Sequence, residues 1–348
     1  MAAGAAVVGG AAGWALRGET PDDADPPRTP SPTEGASNAG ASAVRAADVR
    51  PGITSPAVPQ RHLVLRVVEI DGAEGDDLPS RVAAATALGP APADAGEVTV
   101  TVGYAPAHAR RLWPERAAAA VDLPAFAHDD PMIVTGGDLA LQVCAETASA
   151  AREAADAVIA ALGARVRWEQ TGYRDAPTAH GTARTSTGFI DGIINPRTSE
   201  LLTAGVWVDE AHRDTYLVVR RMRISPEFTG RPVPEQEQAI GRSRDTGAPL
   251  SGGGPLDEVD LFAKTAEGRL LTPGASHARR AHPSHIGRPL MLRRSYSFDP
   301  PEGAGLVFIA YLSDPQTFVM TQRRLDEMDD LIAHTTTDAS GCFFVPGG

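Results

Sequence analysis

The predicted order of strands and helices limits the fold of this chain more than any other feature of its sequence. Between residues 61 and 173, four segments have the β-branched and apolar density of strands, and two alanine-rich segments have the pattern of helices. In chain order they are a strand at 61–70, a helix at 76–88, strands at 97–105 and 136–145, a helix at 147–163 and a strand at 165–173. The order β-α-β-β-α-β is that of a ferredoxin-like unit.

The second half of the chain predicts a similar succession. Strands are expected at 215–224, 290–298, 305–313 and 341–346, and helices at 234–243 and 314–328. We therefore predict an α+β fold of tandem ferredoxin-like domains with antiparallel sheets, the first over 56–184 and the second over 185–348. A long polar insert at 242–289 interrupts the second domain, and loops of that length inside a compact domain are usually functional.

The residues before the first strand differ in composition from the rest. Residues 1–20 contain an apolar run that is too short and too glycine-rich for a comfortable membrane span, and we interpret it as the remnant of an export signal. The positively charged start of such signals is missing, which leaves a flexible tail, or a start upstream of Met1, as alternatives. Residues 21–55 are rich in Pro, Ser, Thr, Gly and Asp, and they predict a disordered linker.

Charge and cysteine content exclude some functions. Acidic residues outnumber basic ones by 44 to 32, for a net charge of −12, so a nucleic-acid partner is not expected. Cys144 and Cys342 lie far apart, and neither belongs to a CxxC pair, so their spacing indicates neither a disulfide framework nor a thiolate metal site. A single long-range disulfide stays open as an alternative.

Three histidines, His277, His282 and His285, occur within nine residues near the end of the insert. They could ligate a divalent metal ion, but no acidic residue lies among them, and Pro283 prevents one helical face from presenting all three. The alternative is that they are ordinary surface histidines of a loop.

The stretch TSTGFIDGIINPR, residues 185–197, places a single carboxylate, Asp191, between glycines and apolar residues. A buried carboxylate is costly unless a partner compensates its charge. We therefore expect Asp191 to face a specific cationic or polar partner.

Eight blocks of sequence carry a resemblance. The second half contains, in order, GFIDGIINPR, AIGRSRDTGAPLSGG, SHARRAHP, LMLRRSYSF and SGCFFVPGG, and the first half contains RPGITSPAVPQRHLVL, LPAFAHDDP and GGDLALQVCA. Taken together, over about residues 51–348, these blocks resemble the dye-decolourising peroxidase family (DyP-type haem peroxidases), most closely its exported, compact subgroup.

The resemblance implies two ferredoxin-like domains with sheets that sandwich a haem b, one per chain. It implies a haem-dependent peroxidase that reduces hydrogen peroxide and oxidises small organic reductants, such as dyes or phenolics, through a ferryl intermediate. It further implies export to the periplasm or the exterior by the twin-arginine route, without stable membrane insertion, and a possible homo-oligomer. The alternatives are a deferrochelatase-like iron-acquisition component beside a ferrous iron transporter, and a haem carrier without turnover.

Three residues of this chain match the family's reactive groups. His277 of SHARRAHP matches the axial ligand of the haem iron, Asp191 of GFIDG matches the distal aspartate, and Arg293 matches the distal arginine. In these positions Asp191 would move a proton between the oxygens of peroxide, and Arg293 would stabilise the negative charge that develops on the leaving oxygen.

Other residues are expected to bind the cofactor. Arg242 is the candidate for a haem propionate, because a guanidinium suits a carboxylate, and Arg244, Arg279 and Arg280 are the alternatives. The expected contacts from the turn around the aspartate are Gly188, Ile190 and Gly192.

The chain departs from the family pattern behind the axial histidine. The family commonly places there an acidic residue that accepts a hydrogen bond from the histidine, whereas the matching position here is Ala333 or His334. Asp330 or Asp338 could substitute, or a main-chain carbonyl could take that place.

Overall fold

The first half of the chain forms the predicted β-α-β-β-α-β succession. The computed structural model describes residues 44–87 and 97–347. The elements of this half are β1 (His62–Glu69), α1 (Leu78–Ala87), β2 (Thr99–Tyr104), α2 (Pro106–Leu112), β3 (Asp129–Val134), β4 (Leu139–Ala145), α3 (Ala148–Leu162) and β5 (Arg165–Tyr173). The strands β5-β1-β4-β2 form an antiparallel sheet in that order, while α2 and β3 were not predicted.

The second half repeats this arrangement with additional short elements. They are β6 (Ala183–Arg184), β7 (Ile190–Asp191), α4 (Ser199–Gly205), β8 (Thr215–Ile224), α5 (Pro226–Thr229), α6 (Val233–Ile240), α7 (His277–Arg280), β9 (Leu292–Arg293), β10 (Tyr296–Phe298), β11 (Ala304–Leu312), α8 (Pro315–Met328) and β12 (Thr335–Val345). Short 3-10 helices occupy Ala46–Asp48, Pro283–His285 and Ile332–His334. The predicted α+β class with ferredoxin-like sheets is confirmed, and the domain boundary at residue 184 stays a prediction.

Strand β1 shows why these segments are apolar along their whole length. Leu63, Leu65 and Val67 pack in the core that contains residues of both sheets, whereas Val64 and Val68 belong to the core that includes α1 and α3. Alternate side chains of a strand point to opposite faces, and both faces of this strand are covered.

Two helix ends match the local sequence signals. The hydroxyl of Thr147 accepts a hydrogen bond from Ala150 N at 3.3 Å, and Gly163 ends α3 with φ of 62°. Asp314 caps α8 by accepting from Gln316 N at 2.9 Å. These are the caps that fix where an amphipathic segment begins and ends.

The two sheets join along both edges. In the second half the order is β12-β8-β11, and β10 pairs with β11. Strand β10 also pairs with β5 through Ser297 and Tyr173, and β12 pairs with β2 through Phe344 and Tyr104. The eight strands therefore form a closed circuit around a buried core of side chains from both halves.

The segment before β1 corrects one expectation. Residues 44–55 were predicted to be part of a disordered linker, but Asp48 and Ile53 are 0% and 1% exposed. Asp48 accepts hydrogen bonds from Trp207 Nε1 at 3.1 Å and Arg213 Nε at 2.7 Å. The linker prediction is therefore wrong for this part, while the export signal and the rest of the linker, up to residue 43, lie outside the described residues.

Two further predictions concern the cysteines and the membrane. Cys144 in β4 and Cys342 in β12 are both buried and both free, so the alternative of a disulfide between them is excluded. None of the helices within 44–87 and 97–347 is both long and apolar enough to cross a membrane.

Candidate active site

A large cavity lies against the second sheet. It has an empty volume of about 1610 Å³, counting the part that opens to solvent. Its floor is formed by Met222 and Ile224 of β8 and by Leu306 and Phe308 of β11. Its wall is formed by α8 and by the long connection after α6. The alternate residues of β8 and β11 pack in the core between the sheets, so the cavity lies on the outer face of the second sheet and not between the two sheets.

The turn that carries Asp191 is a short hairpin. Strands β6 and β7 pair through Ala183 and Asp191, and the turn is closed by a hydrogen bond from Gly188 N to Thr185 O at 2.8 Å. Gly188 has φ of 85°, and a Cβ there would lie 2.5 Å from Arg244 Nε. A glycine is required at this turn by the close approach of that side chain.

The hairpin brings only part of the predicted cofactor contacts to the cavity. Ile190 and Gly192 line it together with Asp191. Gly188 is not among the lining residues and packs beneath Arg244 instead. The geometry therefore supports a cofactor contact for Ile190 and Gly192, and it gives Gly188 a role in shaping the turn.

Asp191 has the expected partner. Its Oδ1 lies 3.7 Å from Arg293 Nη2 and accepts a hydrogen bond from Gly192 N at 2.7 Å. Both side chains line the cavity and are about a quarter exposed, at 26% for Asp191 and 27% for Arg293. The sequence separates these residues widely, and the fold brings them together at one wall.

His277 begins α7 and also lines the cavity. Its Nδ1 lies 3.0 Å from Oδ2 of Asp329, a carboxylate with no exposed side-chain surface. The carboxylate accepts, so Nδ1 carries the proton, and Nε2 is the ring nitrogen left for the cavity. Burial alone would lower the pKa of His277, but the charge and hydrogen bond of Asp329 outweigh it and raise the pKa above its ordinary value.

The partner of His277 is Asp329, which was not among the residues expected from the sequence. Its Oδ1 accepts from the main-chain N–H groups of Leu331 and Ile332 at 3.0 and 2.8 Å, which fixes the carboxylate behind the imidazole. The positions considered from the sequence, Ala333, His334, Asp330 and Asp338, do not contact His277 by hydrogen bond, and no main-chain carbonyl within residues 44–87 and 97–347 accepts from its ring. Asp330 pairs with Arg231 at 3.0 Å, and Asp338 pairs with Arg221 at 2.6 Å.

The other two histidines have different surroundings. His282 lines the cavity, and its Nδ1 lies 2.7 Å from Ser284 Oγ. His285 is not a lining residue, and its ring centroid lies 6.2 Å from that of His282. Within the described ranges, the one group of three side chains close enough to share a metal ion is Asp209, His212 and Asp214, so the zinc hypothesis for the three clustered histidines receives no support.

Of the four arginines considered for a propionate, Arg242 is the one that lines the cavity. Its Nη1 and Nη2 donate to the carbonyls of Gly247 and Asp257 at 2.9 and 2.8 Å. Burial lowers the pKa of Arg242, and the nearby charge of Arg293 lowers it further. The guanidinium therefore braces the connection after α6 and adds positive charge to the cavity.

Comparisons with known proteins agree with this arrangement. The family profiles for the N-terminal and C-terminal parts of Dyp-type peroxidase match residues 52–174 and 182–348. A dye-decolorizing peroxidase of Thermobifida fusca is 33% identical, over 97% of this chain and 90% of the relative. A deferrochelatase of Yersinia pestis is 34% identical, but over 61% of this chain and 54% of the relative.

A solved structure shows the same fold over most of the chain. Ferric DtpA from Streptomyces lividans superposes with a TM-score of 0.77 at 33% identity, covering 86% of this chain and 91% of the other. The C-terminal family profile, over residues 182–348, contains the hairpin, the cavity floor and the helix that begins at His277. Since both family profiles and a relative over nearly the full length agree, this chain belongs to the DyP-type peroxidase family.

Proposed function

We propose that the chain is a haem-dependent peroxidase that reduces hydrogen peroxide and oxidises small organic donors such as dyes or phenolics. The observation that carries the proposal is the joint lining of one cavity by an imidazole with a buried carboxylate behind it and by an aspartate–arginine pair. The family to which the chain belongs supports the same activity.

The residues of the cavity fit a haem. Apolar side chains make up the floor of the cavity, while His277, Arg242 and Arg293 supply polar groups at its walls, the usual composition of a cofactor site. His277 would hold the iron through Nε2, Arg242 would face a propionate, and Ile190 and Gly192 would contact the macrocycle. Bound there, haem would supply the redox-active iron at which peroxide is reduced.

Asp329 would set the character of the imidazole. A histidine ligand that donates its second N–H to a carboxylate is fixed in orientation and becomes a stronger electron donor. Two main-chain N–H groups hold Asp329 in place, so the hydrogen bond from His277 needs no rearrangement when the site is loaded.

Asp191 would transfer a proton of peroxide, and Arg293 would stabilise the negative charge on the departing oxygen. Gly192 N and Arg293 both engage Oδ1 of Asp191, which leaves Oδ2 without a hydrogen bond to any residue in the described part of the chain. Oδ2 is therefore the atom on which the carboxylate can take up and return a proton of peroxide. The guanidinium beside it stabilises negative charge on the departing oxygen.

The test is an absorbance spectrum of the haem-loaded protein before and after hydrogen peroxide, followed by stopped-flow measurement of the reaction. Arg293→Leu should retain haem but slow the reaction with peroxide by about 10²–10³-fold, the usual effect of removing one preorganised charge-stabilising donor. Arg269→Leu, on the exposed part of the insert, is the control and should react like the parent protein. Unchanged peroxide kinetics in the Arg293 variant would contradict the proposal.

The deferrochelatase relatives favour a second candidate, release of iron from haem. Protein incubated with haem and a reductant would then yield metal-free porphyrin, which has a characteristic fluorescence. Porphyrin release that exceeds peroxide turnover would assign the chain to iron acquisition. The peroxidase proposal predicts that haem stays intact under the same conditions.

We further propose that the protein is exported, by the twin-arginine route, to the periplasm or the exterior. The apolar composition of residues 1–20 supports this, although those residues lie outside the described part of the structure. Fractionation of cells that carry the gene with its native upstream sequence tests the location. A homo-oligomer stays a prediction that sedimentation would check.

A further inference from the structure

Asn195 is one of the polar residues of the TSTGFIDGIINPR stretch to which the proposed function gives no role. Its side-chain amide contacts the main chain of Arg293 twice: Oδ1 accepts from Arg293 N at 3.0 Å, and Nδ2 donates to Arg293 O at 2.9 Å. We infer that Asn195 is a positioning residue, which holds Arg293 at the distance from Asp191 that the reaction with peroxide needs. This inference deepens the proposed peroxidase function and rests on it.

The strand that carries Arg293 explains why such a contact is needed. Strand β9 has two residues and pairs with β11 on one side, through Leu292 with Tyr311 and Arg293 with Ala310. Arg294 N donates to Ile309 O at 2.9 Å, so the neighbouring position faces β11. Because successive residues of an antiparallel strand alternate between facing the partner and facing away, the N–H and C=O of Arg293 point to the outer edge.

Asn195 occupies that outer edge in place of another strand. A primary amide offers one acceptor and one donor on the same carbon, which is what the paired N–H and C=O of one residue require. An aspartate of the same size would offer acceptors only, and an alanine would offer neither. The identity of the residue is thus matched to the main-chain groups it meets.

The same segment also holds the side chain of Arg293. Its Nη1 donates to Ile194 O at 3.1 Å, and its Nη2 lies 3.7 Å from Oδ1 of Asp191. The segment from Asp191 to Asn195 therefore contains the carboxylate, the support of the guanidinium and the support of the arginine main chain. Shifts of about 1 Å in groups that surround a reacting atom can change rates by about 10²-fold, so this coupling matters for the chemistry.

The experiment compares Asn195→Ala and the isosteric Asn195→Asp with the parent protein, each loaded with haem. We expect the rate constant with peroxide to fall by about 10- to 100-fold in both variants, while haem absorbance is retained. Thermal unfolding of the haem-free proteins checks that both variants fold. Arg197→Ala is the matched control, because Arg197 lies two residues after Asn195, donates to the carbonyls of Gly192 and Ile193, and makes no hydrogen bond to Arg293.

A double-mutant cycle separates positioning from a general structural role. If Asn195 acts through Arg293, then Asn195→Ala should add less than about twofold to the loss already caused by Arg293→Leu, since the two residues then form one unit. Additive losses would overturn the inference, and so would an Arg197→Ala variant as slow as Asn195→Ala.

Fluoride binding provides a readout that does not depend on turnover. A small anion at the haem iron should bind less tightly when the guanidinium is removed or displaced, so both Arg293→Leu and Asn195→Ala should raise the fluoride dissociation constant, and Arg197→Ala should not. A parent protein that fails to react with peroxide contradicts the proposed function. A parent that reacts, with Asn195→Ala unchanged in both rate and fluoride affinity, contradicts the positioning role alone.

Discussion

The side chains of Asp329 and Asp330 have different partners although the residues are neighbours. Asp329 follows directly on the last residue of α8 and is buried against His277, whereas Asp330 lies beyond it and pairs with Arg231. Arg293 and Arg294 differ in the same way: the first lines the cavity, and the second is buried and donates to Pro56 O at 3.0 Å. At this scale, one position along the chain decides whether a charge belongs to the site.

The axial role of His277 gives the first prediction at this scale. His277→Ala should abolish haem retention, because the variant lacks the ring nitrogen that would hold the iron. His282→Ala and His285→Ala should keep the haem spectrum, since neither ring is backed by a buried carboxylate. Haem titration followed by absorbance measures all three, and loss of haem in the His285 variant would contradict His277 as the axial ligand.

Removal of the carboxylate behind the imidazole is the second prediction. Asp329→Asn should weaken haem affinity or the peroxide reaction by about 10- to 100-fold, the usual effect of losing such a partner, and should raise the iron reduction potential because the imidazole becomes a weaker donor. Spectroelectrochemistry and stopped-flow measure both effects. Asp330→Asn is the control, and an equal effect there would argue against Asp329 as the partner.

The sequence identified His277, Asp191 and Arg293 as candidates, and the fold brings them to one cavity. The sequence alone could not show that Asp329 and not Asp330 contacts His277. Which of the two adjacent carboxylates faces inward depends on where α8 ends. Asn195 was also missed as a functional residue, since nothing local to its segment shows that a strand edge from residues 292–293 lies opposite.

Among the elements, the segment at 44–55 is held mainly by polar contacts. Asp48 pairs with Arg45 at 3.0 Å and with Arg213 at 2.7 Å, and Arg50 donates to Pro346 O at 2.9 Å. The segment has the composition of a linker and no hydrophobic periodicity. It is ordered mainly by partners more than a hundred residues away, which the local sequence does not indicate. The predicted disorder failed here for that reason.

Acid should weaken this attachment, which is the third prediction. Burial alone would raise the pKa of Asp48, but hydrogen bonds from Ser199 and two guanidinium groups outweigh it and lower the pKa below its ordinary value. A carboxylate with a depressed folded pKa contributes stability above its unfolded pKa, about 4, and that contribution is lost as pH falls through the folded pKa.

Urea unfolding of the haem-free protein between about pH 6 and pH 2 tests this attachment. Asp48→Asn should lower the free energy of unfolding by about 3–5 kcal/mol at neutral pH, because it leaves Arg213 buried without its partner. In this variant the free energy of unfolding should also fall less steeply as the pH decreases. Asp76→Asn, at a carboxylate with 97% of its side chain exposed, is the control and should change neither. An unchanged acid slope in the Asp48 variant would refute the assignment.

Strands with a clear period were predicted well, and those with polar or proline-containing sequence were not. Strand β12 begins at Thr335 and not at residue 341, because the polar run before Gly341 also pairs with β8. The register shifts at a bulge between Thr337 and Ala339, where the side chain of Asp338 pairs with Arg221. Strand β3 contains Pro131, which argues against a strand in sequence terms. It is held at the sheet by parallel pairing with β12 and by a buried ion pair between Asp129 and Arg220.

At the scale of the whole molecule, the tandem order of elements could be predicted, but the closure of the sheets could not. Closure depends on two single pairs of residues, Ser297 with Tyr173 and Phe344 with Tyr104, which leave no periodic signal in the sequence. The position of the cavity agrees with closure, because side chains of both halves fill the space between the sheets and the cavity lies on the outer face of the second sheet.

Closure yields the fourth prediction. Although the sequence predicts two domains, the haem-free protein should unfold in one cooperative transition, since neither half can lose its sheet without exposing the shared core. Scanning calorimetry should give equal calorimetric and van't Hoff enthalpies. Two resolved transitions would show that the halves are independent.

Strand β12 lies between β2 and β8, in the middle of the circuit, yet it is the last strand along the described chain. While the polypeptide is being synthesised, β2 and β8 therefore each keep an unpaired edge until the residues of β12 have left the ribosome. Exposed edges of this kind promote aggregation. Expression at lower temperature, or with a holdase chaperone present, should for this reason raise the yield of protein able to receive its cofactor.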